Sequence, residues 1–415
     1  MVSATEELAT GRTSGFEKAA TREAPREIRV LQVFDSLAMG GAETWLMALL
    51  KYFHERPNDL PVSVRTDILL TGGEKSMFDD EAERLGARLF YAKFSRKNFP
   101  DFLRKFRRIL AEGRYDAIHD HQDYAAGLHF LAGLGQLPKV RVAHVHNTSY
   151  SLAGYWSTGS RRIAFEAAKT LLARTATHIT STSREMLTDF GFDAPHFKLV
   201  PRAVVHCGFD VSHFQGDKRA LHGRVSEEFG WNDGVKIILF VGRLDEPVGM
   251  GKHRKNPRFA LEVARECINQ DPQVRMIMSG SGAEMKRELE ACVESWGLTD
   301  KIRLTGIYPD VSRLMLGSDL FLFPSLAEGL GMVVVEAQAA GLRVLTSTGV
   351  PREAMVIAEC VEFKPLSEGI HAWANEALHL LKMESLNARS CNEAVRHSPF
   401  SIENSARSLV QIYST

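Results

Sequence analysis

From residue 28 onward, apolar and polar positions fall into alternating blocks. Short runs of β-branched and aliphatic residues predict strands. The stretches between them, with an apolar residue every three or four positions, predict helices. Residues 29–35 read as a strand. A Gly40-Gly41 turn then leads into a helix over 42–53, with Trp45, Leu46, Leu49, Leu50 and Phe53 on one face. The same reading predicts strands at 62–70, 88–91, 117–119, 140–146 and 178–182, and helices at 78–85, 99–110, 124–134 and 160–173. Strict alternation of this kind predicts an α/β domain, with a mostly parallel sheet covered by helices on both faces.

The pattern breaks near Val200, where Pro201 and the stretch Val204-Val205-His206-Cys207-Gly208 read as a connection, and then restarts. Strands are predicted at 235–241, 274–278, 302–305, 320–323 and 344–346, and helices at 259–268, 283–296, 311–316, 331–340, 366–381, 386–396 and 401–413. The expected organisation is a disordered tail over 1–27, a first domain over 28–205 and a linker over 206–214. A second domain follows over 215–396, and a terminal helix in 397–415 crosses back to the first domain. Two doubly wound domains facing each other enclose a cleft, and ligands of such sheets bind beyond the carboxyl ends of the strands.

Composition narrows the class of protein. Lysine plus arginine and aspartate plus glutamate are both 51, so the net charge is zero, and 44% of the 415 residues are hydrophobic. Such a chain is neither disordered nor collagen-like, and it lacks the basic excess of a general nucleic-acid binder. No run of about eighteen apolar residues predicts a membrane span. The five cysteines, at 207, 267, 292, 360 and 391, form no CxxC pair, which argues against a disulfide framework or a thiolate zinc site. The first 27 residues have no apolar segment of the signal-peptide kind, so a cytoplasmic location is expected.

The most informative stretch follows the strand at 320–323, where Ser325-Leu326-Ala327-Glu328-Gly329-Leu330-Gly331 leads into a helix bearing Glu336. Free amides at a helix start suit an anion, and glycines let a ligand approach the backbone. Eight helical residues span roughly 12 Å, enough to set one carboxylate at a sugar and the other at a ribose. Arg243, after the strand at 235–241, and Lys255, before the next helix, are candidate phosphate cations, with Lys252 in the loop between them as a rival. In the first domain His119 and His121 close one strand, and His144 and His146 another. Each pair shares a strand face and so could grip a metal, but no carboxylate cluster stands beside them, and the expectation is that no metal is bound. The helix at 99–114 carries Arg104, Lys105, Arg107 and Arg108. A solvated basic face is preferred for it, with peripheral contact at the inner face of a membrane as the alternative.

Taken together, these motifs resemble those of the retaining GT-B glycosyltransferases of family 4, the "glycosyl transferases group 1". The resemblance rests on Glu328 and Glu336, on Gly242-Arg243-Leu244 with Lys255-Asn256, on Cys207-Gly208-Phe209-Asp210 through Phe214, and on Gly40-Gly41-Ala42-Glu43. His144-Val145-His146-Asn147-Thr148 and Gly349-Val350-Pro351-Arg352-Glu353 look most like exopolysaccharide or capsule transferases. The resemblance implies a GT-B fold of two Rossmann-like domains and transfer of a sugar, most commonly from a UDP-sugar, to a glycan or lipid-linked acceptor, with no cofactor. It implies that Arg243 and Lys255 bind the diphosphate, that Glu328 and the amides of Gly329, Leu330 and Gly331 hold the sugar and phosphate, and that Glu336 holds the ribose. Gly280 and Gly282 would lie by the nucleotide, Ile307 and Tyr308 by the base, Gly41 over the diphosphate, and His121 at the reaction centre. His144, His146 and Asn147 would line the acceptor side. Two alternatives are a GT-B nucleotide-sugar epimerase or hydrolase and a non-catalytic nucleotide-sugar-binding module. An NAD dehydrogenase fits poorly, because no GxGxxG follows the first strand.

Overall fold

The computed structural model describes residues 26–147, 159–232, 234–245 and 253–415. Lys252, Thr148 and most of the expected tail lie outside these residues. In the first domain the strands are β1 (Glu27–Phe34), β2 (Ser63–Leu70), β3 (Arg88–Tyr91), β4 (Ala117–Asp120), β5 (Val140–Val145), β6 (His178–Ser181) and β7 (Arg202–Val204). They form one parallel sheet in the order β3-β2-β1-β4-β5-β6-β7. The second sheet is also parallel, in the order β10-β9-β8-β11-β12-β13. Its strands are β8 (Lys236–Val241), β9 (Val274–Ser279), β10 (Ile302–Gly306), β11 (Leu320–Phe323), β12 (Arg343–Ser347) and β13 (Val361–Lys364). In both sheets the winding reverses beside the first strand, between β1 and β4 and between β8 and β11. A crevice opens at such a switch point.

In the first domain one face of the sheet is covered by α1 (Gly41–Glu55) and α2 (Asp79–Arg84). The other face is covered by α3 (Phe99–Gly113), α4 (Ala126–Ala132), α5 (Gly159–Thr175) and α6 (Arg184–Asp189), which enclose Phe102, Phe106, Phe130 and Leu172. The second domain contains α7 (Lys218–Glu228), α8 (Pro257–Gln270), α9 (Ala283–Ser295), α10 (Val311–Leu316), α11 (Met332–Ala339), α12 (Gly369–Leu380) and α13 (Ala388–His397) around a single core centred on Phe240, Phe321, Phe323 and Trp373. The last helix, α14 (Ile402–Tyr413), packs on the first domain. Its Ile402, Ala406, Leu409, Val410 and Tyr413 join Ile28, Val30, Trp45 and Val142 in one cluster, and Trp45 Nε1 donates to Ser405 Oγ at 2.9 Å.

Several expectations are corrected. Glu27, placed in the tail, begins β1. The helix expected at 124–134 starts later, because Asp123 adopts a left-handed φ of 51° and only a 3₁₀ turn precedes α4. Strands β7 and β13 and helices α6 and α7 were not anticipated. Within 206–214, Cys207 packs with the first domain, while Val211 and Phe214 enter the core of the second. The basic face of α3 is solvent-exposed, as preferred, with its ion pairs at the surface. Arg104 and Lys105 pair with Asp101, and Arg107 donates to the Leu134 carbonyl at 3.0 Å. No helix among the described residues is long and apolar enough to cross a membrane.

A candidate active site between the two domains

The second domain contributes a buried ion pair. The turn after β11 carries Glu328 inward, leaving it 7% exposed. Lys255 Nζ reaches both carboxylate oxygens, at 2.7 and 2.8 Å, and the Ser325 hydroxyl donates to Oε1. Burial pushes the Glu328 carboxyl up, but Lys255 and Arg254 outweigh it and hold the group below its ordinary range. Lys255 also lies over the Phe323 ring, 5.2 Å from its centroid. It precedes Asn256, whose left-handed φ of 53° turns the chain into α8, which begins with Pro257. Past Glu328, Gly331 takes a left-handed φ of 83° and opens α11 with no side-chain cap, so the first amides of that helix are open to an anion. Glu336 lies on this helix, and burial pushes its carboxyl up to about 7.

The loops after β8, β9 and β10 meet beside this pair. Gly242 N donates to the Ser279 carbonyl, Leu244 N to Ser281 and Gly280 N to Gly306. Any side chain at Gly280 would place its Cβ 1.8 Å from the Gly242 carbonyl oxygen. Gly282, with φ 122°, packs against Asp245. Arg243 projects from this cluster with an exposed side chain. Across the cleft, burial raises the carboxyl of Glu43 on α1, and its own backbone N–H and the charge of Arg243 offset only part of that rise. Gly41 has open space where a side chain would be. Ile307 is 55% exposed at the end of β10. Tyr308 is turned away from that strand end, its hydroxyl donating to Glu228 Oε1 on α7 at 2.8 Å.

The first domain meets this site closely. Ser183 Oγ donates to the Gly329 carbonyl at 2.7 Å, and the Glu353 carboxylate accepts from Arg184 N at 2.8 Å. A Cβ on Gly329 would lie 2.7 Å from the His146 carbonyl oxygen and 2.9 Å from Met186 Sδ, so only glycine permits this approach. Asp123 accepts from the backbone N–H groups of His146 and Asn147 and from the Asn147 amide. Burial raises its carboxyl to about 6. Asn147 and His146 are thereby fixed at the rim of the crevice.

His121 and His144 are both held by partners inside the first domain. The His121 ring stacks on Phe34 at 4.1 Å, and both its nitrogens are taken, one by Gln32 and one by His146. His144 is fully buried and bonded to His119, so it does not line the acceptor side. Nitrogens of His119, His121 and His144 lie within 4.8 Å of one another. Of the three, His119 and His144 bond to each other, while His121 bonds to His146 and Gln32. Gln32, Glu43, Asp123, Ser183 and Tyr413 were not anticipated as site residues. Glu43 alone had a local signal, its place after the Gly40-Gly41 turn.

Two family models match, one on each domain: "Glycosyltransferase Family 4" over residues 39–213 and "Glycosyl transferases group 1" over residues 224–395. EpsF of Bacillus subtilis (strain 168), assigned as a glycosyltransferase, is 29% identical over 357 residues, covering 83% of this chain and 86% of EpsF. The capsular polysaccharide biosynthesis glycosyltransferase CapH of Staphylococcus aureus is 23% identical, over 77% of this chain and 81% of CapH. Among solved structures, HepE of Anabaena in complex with UDP and glucose superposes with a TM-score of 0.73 at 18% identity, covering 94% of this chain and all of HepE.

Proposed function

The chain belongs to the family-4 glycosyltransferases of the GT-B fold, and from that premise we propose that it moves a sugar from a UDP-sugar to a hydroxyl of a glycan or lipid-linked acceptor in polysaccharide biosynthesis, with retention of configuration. The observation that carries this reading is the Lys255–Glu328 pair, buried between β11 and the uncapped start of α11 with Arg243 alongside. Lys255 and Arg243 take the diphosphate, and their fixed charge stabilises the nucleotide as it departs. Two cations supply that charge, so the reading calls for no cofactor. Glu328, held ionised, accepts hydrogen bonds from the donor sugar hydroxyls. Glu336 accepts from the ribose, and the glycines at 280 and 282 admit the nucleotide to the ends of β8 and β9. The base lies toward Ile307. The bond from the sugar carbon to phosphate breaks as the acceptor oxygen attacks the same face, and the acceptor proton passes to the leaving phosphate oxygen.

EpsF supports the transferase reading, CapH the polysaccharide assignment, and HepE supports UDP as the nucleotide. The test has two parts. UDP raises the melting temperature more than GDP or ADP does, because it binds the native state. Arg243→Ala lowers kcat/KM at least about a hundredfold, the usual effect of removing one preorganised charge-stabilising group, while its melting temperature stays near that of the wild type. Wild-type turnover in Arg243→Ala would remove that residue from the site.

A further inference from the structure

Six side chains from β1, β4, β5, the residues just after these last two strands, and α14 form one unbroken hydrogen-bonded chain. His146 Nε2 is 2.9 Å from His121 Nδ1, and His121 Nε2 is 2.8 Å from Gln32 Oε1. Gln32 Nε2 is 3.2 Å from Tyr413 Oη, Tyr413 Oη is 2.6 Å from His119 Nδ1, and His119 Nε2 is 3.1 Å from His144 Nδ1. A neutral imidazole has one N–H and one lone pair, an amide has a donor end and an acceptor end, and a phenol has one proton. Setting the direction of any one link therefore sets them all. With the Gln32 carbonyl facing His121, His121 donates from Nε2, accepts at Nδ1, and forces His146 to donate from Nε2. On the other arm Gln32 donates to Tyr413, Tyr413 to His119, and His119 to His144. Turning the Gln32 amide over would reverse every link. The Gln32 amide lies in the first orientation, its Oε1 toward His121 and its Nε2 toward Tyr413.

We propose that this chain locks His146 in the tautomer with a bare Nδ1 at the interdomain cleft, where that lone pair accepts the hydrogen of the attacking hydroxyl. Gln32 and Tyr413 act as positioning residues for it. The proposal rests on the transferase reading above. His146 is partly exposed, its Nδ1 makes no hydrogen bond among the described residues, and its backbone abuts Gly329, next to Glu328. Burial lowers its pKa to about 3, and holds His119, His121 and His144 well below their ordinary value. So weak a base holds the hydroxyl's single hydrogen only while the acceptor docks; as the bond from the sugar carbon to phosphate breaks, that hydrogen turns from Nδ1 to the departing phosphate oxygen, which takes it.

The test is long-range ¹H–¹⁵N correlation NMR on full-length protein labelled at histidine, with His146 assigned by loss of its signal in His146→Asn. The wild type is expected to show His146 protonated at Nε2 alone and not titrating between about pH 5.5 and 8.5. Tyr413→Phe and Gln32→Met each release the lock and give a mixture of His146 tautomers, with the Kd for UDP unchanged by calorimetry. With UDP-glucose as donor and water as the attacking hydroxyl, kcat in both variants falls about tenfold, the size of one hydrogen bond, with KM for UDP-glucose unchanged. A wild-type proton on Nδ1, titration in that range, or a single Nε2–H tautomer kept in both variants would overturn the proposal. So would unchanged kcat in variants that have lost the lock. If the variants do not fold, the wild-type spectrum decides alone. A wild type with the expected spectrum but no turnover of UDP-glucose would count against the transferase reading instead.

Discussion

Replacing the ammonium beside Glu328 with a methyl thioether, in Lys255→Met, tests the electrostatics of the site most directly. Glu328 is 7% exposed and takes two contacts from Lys255, at 2.7 and 2.8 Å. In the variant, burial is opposed only by Arg254 and the Ser325 hydroxyl. Deleting one partner of a buried pair costs about 3–5 kcal/mol, and the groups that remain place this case near 3. For a domain of this size that lowers the melting temperature by about 6–12 °C at pH 7. The pH dependence has a definite sign. In the wild type the lowered folded pKa gives stability that is present above the unfolded value of 4.5 and lost as pH falls through the folded value. In the variant the folded value is raised, so the deficit against wild type narrows as pH falls from about 7 to 5. Adding Glu328→Gln removes the stranded charge and recovers most of the loss. Calorimetric melts of the wild type, both single variants and the double variant at two pH values measure all of this. A loss under about 1 kcal/mol, a deficit that widens at low pH, or a double variant no better than Lys255→Met would each refute the reasoning.

Three further outcomes are expected. Burial raises the Glu336 carboxyl to about 7, so the native state keeps a proton that the unfolded chain releases above about 4.5, and stability falls as pH rises across that window. Glu336→Gln therefore melts above wild type at pH 8 and level with it at about pH 4 in fluorescence-monitored melts; a lower melting temperature at pH 8 contradicts this. Gly280→Ala drives its Cβ into the Gly242 carbonyl and weakens UDP binding at least about tenfold by calorimetry, since it displaces two strand-end loops at once. Leu409→Ala, although in the last helix, destabilises the first domain by about 2–5 kcal/mol, visible as a shift of that domain's transition and not of the other's.

The β/α alternation was legible because buried strands and amphipathic helices have different periods. What escaped was short or weakly patterned. Strand β7 has three residues, and the segment Lys218–Glu228 folds as a helix although its apolar residues do not line one face. The charged residues of the second domain could be found because each lies in a strand-end loop or on the helix that such a loop opens, as a switch-point site requires. The histidines were visible as pairs, but their partners were not. Gln32 and Tyr413 stand 381 residues apart and meet only through the fold. The surroundings of His121 were hidden for that reason: spacing put it on the right strand face, and only packing revealed that both its nitrogens are occupied.

The return of α14 to the first domain has a consequence for how the chain is made. Synthesis runs from the N-terminus, and domains generally fold as they emerge. Here the first domain emerges without the segment that covers Trp45, Ile28 and Val142. That apolar surface, together with the unpartnered edge of His119, must wait through the whole synthesis of the second domain before residues 402–413 arrive to seal it. A chain that stops short of residue 402 therefore leaves Ile28, Trp45 and Val142 without the apolar partners that α14 brings.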